Sequence, residues 1–162
     1  MAEGQRETDN FAAESLGNQF VNSGIMPRLL AIDYGTKRTG IAVTDPEQII
    51  ATALETVPTH KLFDFLKDYF KKEIVEGVII GMPKGLDNQD THSTSAVRGV
   101  IKRFQKEFEG IPVYEHDERF TSALAMQSML MGGTSKKDRR EKSNLDKVSA
   151  TIILQSFMES RR

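Results

Sequence analysis

The sequence predicts an α/β fold with a mixed five-stranded sheet and helices on both faces. Three observations carry this. Two short β-rich runs, "RLLAID" and "GIAVTD", are joined by a tight turn and read as a hairpin. A continuous apolar run of strand length, "EGVIIGMP", is punctuated by Gly81 and Pro83, as expected of a strand buried on both faces in a parallel sheet. Between and after these lie segments of helical period, so a meander of strands passes into β-α-β units, which places helices against the sheet.

Taken in order, residues 1–26 are polar, without sustained period, and are expected to form a disordered extension ahead of a folded domain at 27–162. After the hairpin, "QIIATALETV" follows the Asp45-Pro46 turn as a third strand. Thr59 is positioned to cap a helix whose apolar residues Leu62, Phe63, Leu66, Tyr69 and Phe70 share a face. Val97, Val100, Ile101, Phe104 and Phe108 recur at i, i+3, i+4, i+7 and i+11, the cleanest helical period in the chain. "IPVYEH" is a further strand, and Thr121 opens a Met-rich helix that stops at Gly132-Gly133. The last helix is expected from about Asn144, with Leu145, Val148, Ile152 and Phe157 as its core stripe. The order βββαβαβαα is that of the ribonuclease H-like arrangement, although order alone fits other α/β folds.

The chain has no cysteine, which excludes disulfides and cysteine-ligated zinc. It has no apolar run of membrane-spanning length and opens on a charged segment, so no membrane partner and a cytoplasmic location are expected. The net charge of −1 conceals an acidic extension; the remainder carries 21 basic against 19 acidic residues. That balance neither demands nucleic acid nor argues against it.

The acids are placed more tellingly. Asp33 ends the first strand, Asp117 and Glu118 follow the strand "IPVYEH", and Asp146 lies in the first turn of the last helix. If these meet at one rim of the sheet, their mutual repulsion calls for a cation. Mg²⁺ or Mn²⁺ suits such a cluster, because hard ions prefer carboxylate oxygens, and paired ions of this kind can activate water and stabilise a leaving oxygen in phosphodiester cleavage. Each acid also has an ordinary reading. Strand ends begin polar turns, the helix dipole favours an acid at position 146, and the pair at 117 and 118 leads into the Thr121 cap. Convergence is the argument, and no single acid carries it.

The cations are read in the same way. Lys37 and Arg38 in the hairpin turn suit nucleic-acid phosphates beside Asp33, though exposed turns are commonly charged. Lys136, Lys137, Arg139, Arg140 and Lys142 form a denser cluster shortly before Asp146, diluted by Asp138 and Glu141, which suits a backbone clamp and a solvated loop equally well. Gly35 and Gly40 serve either a positive-φ turn or a close phosphate approach. His116 is expected to make an ordinary hydrogen bond at a strand end.

The segments "AIDYGTKRTGIAVTD", "VIIGMPKGLDN", "VYEHDERFTS" and "LDKVSATIILQSF" resemble the YqgF/RuvX family, described as Holliday-junction-resolvase-like proteins and nucleases that mature the precursor of small-subunit ribosomal RNA. The resemblance implies a ribonuclease H-like fold and a divalent-metal site. It carries the family's acids onto Asp33, Glu118 (with Asp117 as alternate) and Asp146. It also implies a nucleic-acid partner, either an rRNA precursor or branched DNA, with ribosome association; a junction resolvase would act as a homodimer. Asn88 stands where the family more usually has glycine. Two rivals remain at this point: a non-catalytic ribosome-assembly factor, and a nucleotide-binding protein like the sugar-kinase and Hsp70 ATPases. The second would need two "DYG" lobes, and this chain has one.

Overall fold

The computed structural model describes residues 27–83, 92–117 and 142–161. Strands β1 (Arg28–Tyr34), β2 (Arg38–Thr44) and β3 (Ala51–Pro58) are followed by a single 3₁₀ turn (Thr59–Lys61) and helix α1 (Leu62–Lys72). Then come β4 (Val75–Met82), α2 (His92–Glu107), β5 (Val113–Asp117) and a long helix, α3 (Lys142–Ser160). The strand order is β3-β2-β1-β4-β5. β2 pairs antiparallel with β1 and β3, whereas β4 pairs parallel with β1 and β5. The Met-rich helix expected from Thr121 lies outside the described residues, as do the extension and the loop carrying Asn88.

The pleat sorts the central strands onto two cores. Leu30 and Ile32 of β1, Ile41 and Val43 of β2 and Val78 and Ile80 of β4 face α1 and α2 through Leu62, Phe63, Leu66, Val97, Ile101 and Phe104. Leu29, Ala31, Ala42, Ala51 and Ile79 face α3 through Ala150, Ile153, Leu154 and Phe157. Alternate residues point to opposite faces of a strand, so β1 and β4 must be apolar throughout. Helices therefore cover both faces, as expected.

Three expectations need correction. β3 starts at Ala51 rather than at Gln48. The Asp45 carboxylate accepts the backbone N–H groups of Ile49 and Ile50 at 2.8 and 2.7 Å, holding that segment as a turn and leaving both isoleucines exposed. Thr59 does not cap α1; its hydroxyl donates to the Gly35 carbonyl instead, at 2.6 Å. The stripe of α3 is rotated by about one residue from that expected: Ile153 and Leu154 are buried where Ile152 is only partly so. The alanines beneath α3 take large side chains from that register.

Candidate active site

Parallel β1, β4 and β5 all direct their C-terminal ends to one edge of the sheet, where ligand sites of open α/β sheets gather. Asp33 is the penultimate residue of β1 and pairs with Gly40 of β2. On its other side, the parallel register Ile32↔Ile80 brings Gly81 of β4 next in line, and Gly81 pairs with His116 of β5. Alternation from Leu29 and Ala31 puts Asp33 on the α3 face. The acid is partly buried and flanked on that face by two buried glycines. Its lateral neighbours on that face are glycine on both sides.

The same alternation fixes the face of Asp117. Val113 packs on the α1/α2 core and Tyr114 on the α3 core, so Asp117 falls with Val113, on the face opposite Asp33. Glu118 lies outside the described residues. Asp146 is within α3, one turn before Ala150 of the buried stripe. Helix α3 crosses the sheet and is fastened near the level of Asp33 at two points. Lys147 Nζ lies 3.9 Å from the Glu55 carboxylate on β3, one residue from the row of Asp33, Gly40 and Thr56. His116 Nε2 and the Ser156 hydroxyl are hydrogen-bonded at 2.8 Å. The first turns of α3 therefore lie at the same edge as Asp33. Among the described residues no group of three or more histidine, cysteine or acidic side chains gathers at metal-binding distance.

His116 makes the ordinary hydrogen bond expected of it. Burial lowers its pKa below the usual imidazole range, and the adjacent Asp117 carboxylate opposes that shift.

Lys37 is exposed in the β1–β2 turn, and Arg38, expected in that turn, is instead the exposed first residue of β2, paired with Pro58. The turn needs glycine at position 35 for a reason other than positive φ: a Cβ there would stand 2.3 Å from the Arg38 carbonyl oxygen. Among the described residues only Gln48 and Gly110 have positive φ. Gly40 belongs to β2 and not to the turn, and it pairs with Asp33. Lys136, Lys137, Arg139 and Arg140 lie outside the described residues. Two features escaped the sequence reading. Gly81 was legible only as a strand terminator, and Thr59 gave no sign of its tertiary partners.

Similarity to known proteins extends across this architecture. Residues 27–160 match the family described as "RuvX: Holliday junction resolvase". A Flavobacterium johnsoniae protein named "Putative pre-16S rRNA nuclease" is 55% identical over 137 residues, covering 85% of this chain and 99% of the relative. A protein of the same name from Phocaeicola vulgatus is 53% identical over the same shares. In fold, the chain is similar to T. thermophilus RuvC in complex with a Holliday junction substrate, with a TM-score of 0.52 and 18% identity, covering 83% of this chain and 95% of that one. That likeness establishes the ribonuclease H-like architecture. With a family match running from the first strand to the end of the last helix, this chain belongs to the RuvX family.

Proposed function

We propose that the protein is a divalent-metal-dependent endonuclease for structured nucleic acid, acting on the precursor of small-subunit ribosomal RNA in the cytoplasm. The observation that carries this reading is Asp33: a carboxylate at the C-terminal end of a central strand, on the face crossed by α3, with glycine on either side. The relatives above are named for precursor rRNA, which favours RNA over branched DNA as the substrate.

The donor set suits a hard cation. Asp33 offers carboxylate oxygens, its lateral neighbours on the sheet are glycines, and no thiolate competes in a chain without cysteine. Asp33, Glu118 and Asp146 would hold Mg²⁺ or Mn²⁺. When bound, such an ion supplies charge neutralisation among the carboxylates and polarisation of the phosphodiester. Asp117 is disfavoured as a ligand because the pleat puts it on the opposite face. In this reading β1 fixes Asp33 through three fully buried residues, Leu30, Ala31 and Ile32, so its carboxylate is positioned before substrate arrives. Lys37 and Arg38, four and five residues on, hold phosphates flanking the cut, and the cluster at 136–142 extends that hold.

The test compares a precursor rRNA fragment and a synthetic four-way DNA junction under identical Mg²⁺ or Mn²⁺ conditions. RNA cleavage abolished by EDTA is expected, with activity reduced by orders of magnitude in Asp33→Asn and Glu118→Gln but little changed in Asp117→Asn. Undiminished cleavage by Asp33→Asn would overturn the reading. RNA binding without any cleavage by the wild type would point to an assembly factor instead.

A further inference from the structure

We propose that Thr59 is a positioning residue for nucleic-acid binding: it locks the β1–β2 turn so that Lys37 and Arg38 meet the phosphate backbone from a fixed place beside Asp33. The inference rests on the phosphate-holding role given to those two cations above. Thr59 reaches the turn from the far end of β3, 24 residues away in sequence, and engages it twice. Its hydroxyl donates to the Gly35 carbonyl at 2.6 Å, and its backbone N–H donates to the Lys37 carbonyl at 3.0 Å. The turn residues 35–37 are thus held at both ends by one residue.

The hydroxyl's capacity is accounted for. It has one proton, which goes to Gly35, so its 3.0 Å contact with the Thr39 hydroxyl must be one it accepts. Thr39 is fully buried, and its hydroxyl therefore donates to Thr59. A hydroxyl committed in this way acts through the turn and not on the substrate. The turn is also closed from inside, because Gly35 packs against the Arg38 carbonyl too tightly for any Cβ. Exposed Thr36, Lys37 and Arg38 therefore ride on a fixed backbone, and the entropy of ordering it is not charged against binding.

The experiment measures binding of a labelled RNA stem–loop as a function of salt for the wild type, Thr59→Val, Thr59→Ser, the double variant Lys37→Ala/Arg38→Ala, and that double variant with Thr59→Val added. Thr59→Val is expected to weaken binding about fivefold, the worth of one net hydrogen bond, and to lower the slope of log K against log salt. Thr59→Ser, which keeps the hydroxyl, should restore both. In the Lys37→Ala/Arg38→Ala background, Thr59→Val should add nothing. A full fivefold loss in that background, or an unchanged salt slope in Thr59→Val, would overturn the inference while leaving the proposed function standing. If Lys37→Ala/Arg38→Ala itself binds as tightly as the wild type, the phosphate role fails and takes the inference with it. A measurement independent of any variant is amide relaxation in the wild-type protein. Residues 35–38 should be as ordered as the flanking strands, with order parameters of roughly 0.85, and values below about 0.6 would overturn the proposal.

Discussion

Replacing three glycines one at a time by alanine should give three different outcomes from one chemical change. At Gly35 the new Cβ would lie 2.3 Å from the Arg38 carbonyl oxygen, where ordinary contact begins at 3.4 Å. The obstructing atom is backbone, so the turn must open by about 1 Å, a strain of roughly 1–3 kcal/mol by analogy with overpacked cores. Opening also loosens the two bonds from Thr59, at about 1 kcal/mol together when partly retained. The expected loss is about 2–4 kcal/mol. At Gly110 nothing obstructs a Cβ, but φ is +92°, and a side chain there costs about 1–2 kcal/mol from backbone conformation alone. At Gly99, within α2, nothing lies within 4 Å of a Cβ and the backbone is helical, so alanine should stabilise by about 0.5–1 kcal/mol. Urea unfolding followed by circular dichroism reads all three as shifts in midpoint at constant slope. A Gly35→Ala variant within about 0.5 kcal/mol of the wild type, or a destabilised Gly99→Ala, would refute the reasoning.

Two further predictions concern the core and pH. Phe104 is fully buried and touches Phe70 and Phe108, with ring centroids 6.1 and 4.9 Å away, so Phe104→Ala should cost about 3–5 kcal/mol in the same unfolding assay; a loss under about 1 kcal/mol would mean the cluster closes over the cavity. The lowered pKa of His116 means that the unfolded chain takes up this proton more readily than the folded one. Its contribution to stability is therefore fully present above about pH 6.5, the ordinary imidazole value, and is lost as pH falls toward the lower folded pKa. His116→Gln should flatten the stability profile in that window, and an NMR titration midpoint above 6.5 for His116 would contradict the direction.

The fold was legible wherever burial imposed a single pattern. β4 is buried on both faces from Val78 to Met82, and that demand writes an uninterrupted apolar run. α2 alternates a core stripe with charge, so only one helical phase fits. Helix α3 was harder because Val148, Ile152, Ile153, Leu154, Phe157 and Met158 offer more than one apolar stripe. The choice among them is made by Ala31, Ala42 and Ala51 on another part of the chain. Thr59 was misread for a related reason. A threonine ahead of an apolar helical stripe carries the same local signature whether its hydroxyl caps that helix or, as here, reaches Gly35. At the candidate site, the strand-end acids could be picked out from sequence, but the face on which Asp117 falls needed the register of β5 against β4.

That register bears on why a buried strand ends on a charge at all. Asp33 would be costly if its neighbours on the sheet carried side chains that kept water or a cation away. Both neighbours are glycine, and the helix passing over them is fastened at Lys147 and Ser156, to one side and the other of β1. Asp33 thus stands between strand backbone and an anchored helix, while the β1–β2 turn beside it is clamped by Thr59. In a nuclease whose carboxylates must be set before the phosphodiester arrives, rigidity of this kind is what lowers the barrier, because little reorganisation is left for the moment of reaction. It follows that a methyl group added beside Asp33 should harm function more than stability: Gly40→Ala and Gly81→Ala should lose metal-dependent cleavage while Asp33 itself remains in place. Retained cleavage in both variants would mean that the flanks of Asp33 are not where the chemistry is done.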